Sequence, residues 1–406
     1  MLTYWDFNEA HIQANVLPNL KILSRYVDSG SIIYLFCFNK RHLSKEDIRR
    51  IENELSAYRI RLICFDYTHF GLKMILRYGW LIPFLCVKIF TKRINSVYAW
   101  CTTAGAIGYL ISVITRRTLI LESYEPHAGA MVENGYWGKR SLAYRVLSFF
   151  ERKQAQRATF VIAANAGMRE YVKQRYDYVI PADIFFAKPA CVNLEEFYPD
   201  LADRKARRNQ LGYAEDDVVC VYAGKFGGIY LREETFYLIR SAYDFFGERL
   251  NVLLLTAHSK DEVKELCEKT GVPFRLFTVL LVKHNEVPSY LRAGDFALCP
   301  VKPVPTKRFC TPVKDGEYWA TGLPVIITRD ISDDSLIIEN NNAGAVLQEL
   351  TETGYRAAIA QISNILQGDR GLLSARIRFL AEQHRNYKIS EYIYNIILRG
   401  GIGSGQ

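Results

Sequence analysis

Short apolar runs alternate with longer amphipathic stretches along the whole chain. This alternation predicts parallel β-strands joined by α-helices. The predicted strands are residues 31–38, 61–65, 97–101, 118–123 and 159–164 in the first half, then 218–224, 251–256, 277–282, 296–301 and 323–328 in the second. Each set of five predicts a Rossmann-like parallel sheet, so we expect an α/β protein with two such sheets.

A polar and charged stretch at residues 195–216 separates the two sets of strands. A chain of 406 residues is too long for one ordinary core, so two domains of about 200 residues each are expected. We therefore predict domains at residues 1–200 and 201–372, followed by a C-terminal helix at 373–400.

The composition is that of a globular protein, with 49% hydrophobic and 23% charged residues. The nine cysteines are odd in number and form no C-x-x-C pair, so neither a disulfide framework nor a zinc site is predicted. Residues 1–20 carry acidic groups unlike a signal peptide, and no uninterrupted apolar run is long enough to span a membrane. These features favour a cytoplasmic location.

The net charge of +9 is concentrated in the first half of the chain. Residues 1–200 hold 26 Lys and Arg against 18 Asp and Glu, which gives +8, whereas residues 201–406 hold 26 against 25, which gives +1. A basic first half predicts an anionic partner, such as a membrane surface, a lipid-linked phosphate or a nucleic acid.

Residues 71–93 combine aromatic and aliphatic side chains with interspersed basic ones. Lys73 and Arg77 are four residues apart, as are Lys88 and Lys92, so each pair shares a helix face. Pro83 is expected to kink or break the helix. Two interpretations stay open: a helix lying on an anionic membrane surface, and a helix buried in the domain core.

The sequence RFCTPVKDGEYWATGLPVII at residues 308–327 is the most informative stretch. It predicts a helix that starts near Glu317 and ends at Gly322, before a buried strand. The Glu317 carboxylate is thereby placed at the C-terminal edge of a parallel sheet, where α/β proteins bind nucleotides. The same stretch also supplies Thr311 and Lys314. An ordinary helix–turn–strand unit with a surface glutamate is the alternative.

The loop AGKFGGIYLREET at residues 223–235 follows the first strand of the second set. Its three glycines let backbone N–H groups approach a ligand, and its basic side chains lie near a helix start that favours anions. Such a loop suits a nucleotide diphosphate, although a strand-to-helix turn needs glycine for topology alone. The candidate residues are Gly224, Lys225, Gly227, Gly228 and Arg232.

Two histidines are further candidates. His127 follows the strand at 118–123 together with Glu122 and Glu125, and these groups either form part of an acceptor site or cap the loop and the next helix. His284 lies in a loop after another strand, where it either contacts a ligand or is solvated. No D-x-D string, which would predict a metal-bound diphosphate, occurs in the chain.

Several of these stretches together resemble family 4 of the retaining GT-B glycosyltransferases. The resemblance rests on the Glu before GLPVI at 308–327, on KHNEVPSYLRAGDFALCP at 283–300, on AKPACVNLEEFYP at 187–199 and on ERKQAQRATFVIAAN at 151–165. The chain departs from the family at Phe309, where many members carry a second acidic residue. This departure leaves open how the hydroxyl groups of the donor sugar are bound.

The resemblance implies two Rossmann-like domains facing across a cleft, with the C-terminal helix crossing back to the first domain. It implies transfer of a sugar from a nucleotide sugar to a glycan or lipid-linked acceptor, with retention, in bacterial surface polysaccharide synthesis. Glu317 would bind the ribose, Lys225 and Arg232 the diphosphate, Lys314 and Thr311 the phosphate or sugar, and His284 the base. Glu317, Lys225 and His127 are the expected catalytic residues.

The resemblance also implies that no metal or other cofactor is required, and that the partners are the nucleotide-sugar donor and the acceptor rather than a nucleic acid. The aromatic and basic residues at 71–93 add an anionic membrane surface, at the inner face of the membrane, as an expected partner. Two other functions stay open. One is a non-transferase GT-B enzyme such as a nucleotide-sugar epimerase, and the other is a sugar-binding or scaffold protein without activity.

Overall fold

The computed structural model describes residues 1–9, 11–40, 43–68 and 72–402, without the side chains of residues 72–75 and 400–402. Tertiary contacts divide the chain into two compact units. Unit 1 consists of Met1–Pro189 together with Tyr387–Gln406, and unit 2 of Ala190–Asn386. The sequence placed these boundaries at 200/201 and 372/373.

The described part of unit 1 contains six strands: β1 (Ile33–Asn39), β2 (Ile60–Asp66), β3 (Ser96–Trp100), β4 (Thr118–Tyr124), β5 (Phe160–Ala163) and β6 (Phe185–Ala187). Strands β1 and β2 pair in parallel, and β3, β4, β5 and β6 form a second parallel set in that order. Leu2 bridges to Phe36 of β1 and to Ala99 of β3, so the N-terminal residues lie between the two sets.

The helices of unit 1 are α1 (Leu17–Leu23), α2 (Lys45–Ser56), α3 (Leu72–Thr91), α4 (Cys101–Thr115), α5 (His127–Glu133), α6 (Leu142–Arg157) and α7 (Gly167–Tyr176). Serine side chains cap the starts of α2 and α6, where Ser44 and Ser141 accept hydrogen bonds from backbone N–H groups. The core packs apolar residues of α1, α2, β1, β2 and β3 with residues 393–397 near the end of the chain.

Unit 2 contains β7 (Val218–Ala223), β8 (Leu250–Leu255), β9 (Phe277–Leu280), β10 (Phe296–Cys299), β11 (Val325–Thr328) and β12 (Gly344–Leu347). All neighbouring strands are parallel, in the order β9-β8-β7-β10-β11-β12. This is the strand order of the doubly wound Rossmann fold, in which the direction of winding reverses between the first and fourth strands, here β7 and β10.

The helices of unit 2 are α8 (Leu201–Leu211), α9 (Glu233–Phe246), α10 (Lys260–Thr270), α11 (Val287–Arg292), α12 (Val313–Ala320), α13 (Asp334–Asn340), α14 (Glu352–Leu366) and α15 (Arg370–His384). Two apolar clusters bury alternate side chains of the sheet. Val221 and Leu253 belong to one cluster, whereas Cys220 and Val252 belong to the other, so both faces of the sheet are covered.

The structure differs from the sequence predictions at the end of the chain. The single predicted C-terminal helix is two helices, because α15 ends at His384 and α16 (Lys388–Ile402) begins after a break. α15 belongs to unit 2 and α16 to unit 1. The predicted strand sets also lacked β6 and β12, which are only three and four residues long. All nine cysteines are free.

Candidate functional site: a glycine loop, a caged lysine and a buried carboxylate

The candidate residues of unit 2 lie beside the point where the winding of its sheet reverses. Gly224 directly follows β7, and α12 follows β10, the strand paired with β7. The carboxyl ends of parallel strands meet at one edge of a sheet, and the crevice at such a reversal is where open α/β sheets bind ligands. The topology therefore brings the loop at 224–232 and the start of α12 together.

The glycine loop has a backbone that other residues adopt with difficulty. Gly224 has φ +136°, and a Cβ atom there would lie 2.5 Å from Nζ of Lys314, so only glycine leaves room for the lysine. Gly227 and Gly228 have φ of +80° and +64°. In the part of the chain that the structure describes, the backbone N–H groups of Lys225, Gly227 and Gly228 donate to no protein acceptor. Successive N–H groups in such a loop favour an anion.

Lys314, in the first turn of α12, points its ammonium group at this loop. Its Nζ donates to the Tyr222 hydroxyl at 3.2 Å and lies 4.4 Å from the centroid of the Tyr222 ring and 3.5 Å from that of the Tyr230 ring. Desolvation lowers the pKa of Lys314 to about 8. The charge of Glu317 favours the protonated form of this group, and that of Lys225 opposes it.

Glu317 is almost buried one turn further along α12. Its Oε1 atom lies 3.7 Å from Nε2 of His284, a residue that follows β9. The glutamate side chain is 11% exposed and the histidine side chain 46%. The neighbouring Glu317 carboxylate raises the pKa of His284. The two residues thus form a pair at the same sheet edge as Lys314.

A network of buried polar groups lies on the inner side of α12. Asp315 and Asp334 are fully buried neighbours, and Arg385 donates to Oδ1 of Asp334. Burial raises the pKa of Asp315 well above its usual range, with the charge of Asp334 as a second cause. Burial thus favours the protonated form of Asp315, which lies on the helix that carries Lys314 and Glu317, beside the Asp334–Arg385 ion pair.

The other predicted residues of unit 2 have different surroundings. The Lys225 side chain is exposed beside the ammonium group of Lys314. Arg232 is also exposed, at the start of α9. The Thr311 hydroxyl lies 3.4 Å from that of Ser332.

His127 is the predicted catalytic residue that belongs to unit 1. Its Nδ1 lies 3.1 Å from Oε1 of Glu125, and the Cys101 thiol donates to the same oxygen over 3.3 Å. Burial, followed by the nearby Glu125, raises the pKa of the Cys101 thiol well above its usual range, so the thiol keeps its proton. Glu125 thus accepts from two sides at the C-terminal ends of β3 and β4, an arrangement suited to binding hydroxyl groups.

Glu122 was predicted in the same cluster, and this prediction is wrong. Its carboxylate is 1% exposed and lies 2.8 Å from the ammonium group of Lys188. The hydroxyl groups of Tyr98 and Tyr394 also donate to it. The residue alternates with its neighbours along β4, so its side chain points into the core rather than toward Glu125 and His127.

The sequence reasoning missed the aromatic residues that surround Lys314. Tyr222 lies in β7 and Tyr230 lies in the glycine loop. The ammonium group of Lys314 lies over the face of each aromatic ring. No local pattern in the sequence indicated them, because the strand order of the sheet is what places them beside Lys314.

The sequence matches no protein-family model and no curated protein. Solved structures do match. HepE from Anabaena, in complex with UDP and glucose, is 16% identical, with 100% of this chain and 99% of that one covered and a TM-score of 0.68. A glycosyltransferase from Rickettsia africae is 12% identical, with 100% and 98% covered and a TM-score of 0.69.

A third match is the UDP-GlcNAc 2-epimerase from Neisseria meningitidis, bound to UDP-GlcNAc. It is 9% identical, with 98% of this chain and 99% of that one covered and a TM-score of 0.61. At these identities the matches show the fold alone. The chain has the GT-B fold, with parallel sheets in two α/β domains, as the sequence predicted.

Proposed function

We propose that the chain is a glycosyltransferase that moves a sugar from a nucleotide sugar to a hydroxyl group of a glycan or lipid-linked acceptor. The observation that carries this proposal is the arrangement at the winding reversal of unit 2. There, the N–H groups of Lys225, Gly227 and Gly228 donate to no protein acceptor among the described residues. The buried ammonium group of Lys314 lies at the same loop, and the charges of Glu317 and Lys225 act on it. The GT-B neighbour HepE, which binds UDP and glucose, supports the same assignment.

The proposed roles follow from the charge of each group. The loop N–H groups, Lys225 and Lys314 bind the diphosphate, and Glu317 accepts hydrogen bonds from the ribose hydroxyls. His284 lies against Glu317 and contacts the nucleoside end. In unit 1, His127 and Glu125 orient sugar or acceptor hydroxyls. Because cations and N–H groups neutralise the diphosphate, we propose that catalysis needs no metal ion.

We propose a reaction with retention at the anomeric carbon. The bond from this carbon to the β-phosphate oxygen breaks, and a bond to the acceptor oxygen forms on the same face. The acceptor proton passes to the departing phosphate oxygen. The groups around the diphosphate stabilise its developing charge, which is commonly the largest catalytic contribution. The acceptor class that this proposal favours is a surface polysaccharide or its lipid-linked precursor.

An epimerase is the second candidate, because an epimerase bound to UDP-GlcNAc is also among the structural neighbours. The two functions are separated by measuring nucleotide release from a panel of nucleotide sugars, with and without acceptor glycans, in the presence of EDTA. A transferase releases the nucleoside diphosphate faster when its acceptor is added. A hydrolysing epimerase adds water, so it releases the nucleoside diphosphate without any acceptor and yields free sugar. A binding protein shows no turnover.

We further propose that unit 1 binds an anionic membrane surface through α3. One face of this helix packs inward through Leu81, Leu85 and Ile89, while Trp80 is 61% and Phe90 56% exposed. An exposed row of large apolar side chains beside basic ones is typical of a helix at a membrane surface. None of the described helices is long and apolar enough to cross a bilayer.

The structure also changes the set of basic residues available to lipid. Arg77 donates to Thr68 at 2.8 Å and lies 3.8 Å from Asp66, so its charge is already paired. Lys88 lies 5.4 Å from the Phe84 ring, and Lys92 is exposed just after the helix. The Lys73 side chain lies outside the described residues. Pro83 lies inside α3, which continues on both sides of it, so the predicted break is absent.

A further inference from the structure

His258 lies next to the glycine loop and has no role in the site described above. The residue follows β8, the neighbour of β7 on the side away from β10. Its Nε2 accepts a hydrogen bond from the backbone N–H of Phe226 at 3.0 Å. Its ring stacks on the Phe226 ring, with centroids 5.6 Å apart and an angle of 25° between the planes.

The surroundings of His258 select one tautomer of its ring. Nδ1 lies 3.4 Å from a carboxylate oxygen of Glu262, an acceptor, so Nδ1 carries the proton. Nε2 faces an N–H donor and is therefore deprotonated. Glu262 is itself held by the Ser259 backbone N–H at 2.8 Å, in a capping box at the start of α10. Among the described residues, Glu262 is the charged residue whose side chain lies beside the His258 ring.

The opposite side of the same peptide group is also held. The Tyr222 hydroxyl donates to the carbonyl oxygen of Lys225 at 2.7 Å, while Phe226 supplies the N–H that His258 accepts. The carbonyl and the N–H belong to one peptide plane, between Lys225 and Phe226. Two side chains from neighbouring strands therefore hold this plane from both ends, and a flip of the peptide would break both hydrogen bonds.

We propose that His258 is a positioning residue that holds the donor loop in its diphosphate-binding conformation by accepting from the Phe226 N–H. The orientation of the Lys225–Phe226 peptide sets the direction of the Lys225 side chain and of the N–H groups at Gly227 and Gly228. The inference rests on the proposed function, because it assigns a role in binding the donor. It also has a consequence for the free protein that needs no ligand.

The first test is hydrogen exchange at single-residue resolution on the nucleotide-free chain. The Phe226 amide is compared with that of Gly224, which donates to the Leu255 carbonyl at 2.8 Å and serves as an internal reference. His258→Phe keeps the ring stack but removes the acceptor, and His258→Gln keeps an acceptor that does not titrate. We expect exchange at Phe226 to be roughly three- to tenfold faster in the Phe variant, as for one lost hydrogen bond.

The Gln variant, which keeps a hydrogen-bond acceptor, is expected to retain the protection of Phe226. Equal protection of Phe226 in the wild type and the Phe variant would overturn the inference. If the Gly224 amide also exchanges faster in the Phe variant, the exchange rate of Phe226 in the Gln variant separates a hydrogen-bonding role of His258 from a packing role. Restored protection supports the hydrogen bond, and exchange as fast as in the Phe variant shows that His258 acts by packing alone.

The second test is the affinity for UDP, used as the probe because structural neighbours bind it. The Phe variant should bind roughly three- to tenfold more weakly than the wild type, and the Gln variant should bind as the wild type does. A wild type that binds no nucleotide contradicts the proposed function, whereas the exchange test still decides the role of His258. Unchanged affinity in the Phe variant contradicts the role of His258 alone.

Discussion

Lys314 differs from an ordinary surface lysine because its ammonium group lies between two tyrosine rings and against a glycine. The rings of Tyr222 and Tyr230 stabilise the cation, while partial burial removes water from it. Burial has the larger effect, because the pKa falls from its model-peptide range to about 8. The residue therefore carries its full charge only below that pH.

This pKa predicts how nucleotide binding depends on pH. As pH rises through about 8, Lys314 loses its proton, and the affinity for a nucleoside diphosphate should fall by at most about tenfold per pH unit. Titration calorimetry between neutral and alkaline pH measures this. Lys314→Met should bind weakly throughout and remove the alkaline decrease, while Lys264→Met, an exposed lysine of α10, should behave as the wild type. An alkaline decrease that persists in Lys314→Met would assign it to another group.

At the residue scale, sequence reasoning found the groups that lie in recognisable local motifs. Glu317 and Lys314 lie in one such motif and Gly224 in a glycine-rich loop, and the resemblance to a known family added their expected roles. Tyr222 and His258 escaped because their roles depend on partners that are distant in the sequence. Tyr222 meets a lysine 92 positions away, and His258 meets an N–H 32 positions away. Such pairings follow from the sheet order, which local patterns do not contain.

At the element scale, α16 is held to the rest of unit 1 by buried polar contacts. It belongs to unit 1 although it ends the chain, and Tyr394 donates to Glu122 at 2.9 Å while Ser390 donates to Asn19 at 2.8 Å. Lys188 completes the group, with its Nζ 2.8 Å from the Glu122 carboxylate. Both charged side chains are almost fully buried.

Removing one charge of this pair should destabilise unit 1. Lys188→Met leaves a buried carboxylate without its cation, which lowers the free energy of unfolding by about 3–5 kcal/mol. Chemical denaturation followed by a probe in unit 1 measures this. The double variant Lys188→Met, Glu122→Gln removes the unpaired charge and should recover most of the loss. If Lys188→Met is as stable as the wild type, the pair contributes nothing to folding.

The exposed apolar side chains of α3 lead to a second prediction at the scale of a single helix. The wild type should bind anionic liposomes at low salt and lose part of that binding as salt rises, because each basic residue contributes about 1 kcal/mol that ions screen. Trp80→Ser combined with Phe90→Ser should weaken the binding that persists at high salt. Sedimentation with liposomes measures both effects.

The matched control is Phe245→Ser on α9 of unit 2, where the side chain is 54% exposed, much like Phe90. It should bind liposomes as the wild type does. If the wild type does not bind anionic liposomes at low salt, the proposed membrane contact is wrong, and the exposed face of α3 serves another partner. The sequence left the membrane and core interpretations open, and the structure shows why: one face of the helix is buried and the other is not.

At the scale of the whole molecule, the alternation of strands and helices was enough to predict two α/β domains. The winding reversal between β7 and β10 was not predictable in this way, because it requires the strand order. The break between α15 and α16 was missed because only three residues separate the two helices. The divided C-terminal segment, with one helix in each unit, follows from that break.

The central claim is that unit 2 binds a nucleotide through the groups beside the winding reversal. The most direct measurement is titration calorimetry with a panel of nucleoside diphosphates, on the wild type, Glu317→Ala and the control Glu339→Ala, an exposed carboxylate of α13. Glu317→Ala removes a charge-assisted hydrogen bond of about 1.5–3 kcal/mol, so affinity should fall roughly ten- to a hundredfold, while the control stays at the wild-type value. A folded Glu317→Ala variant that binds as tightly as the wild type would contradict the claim.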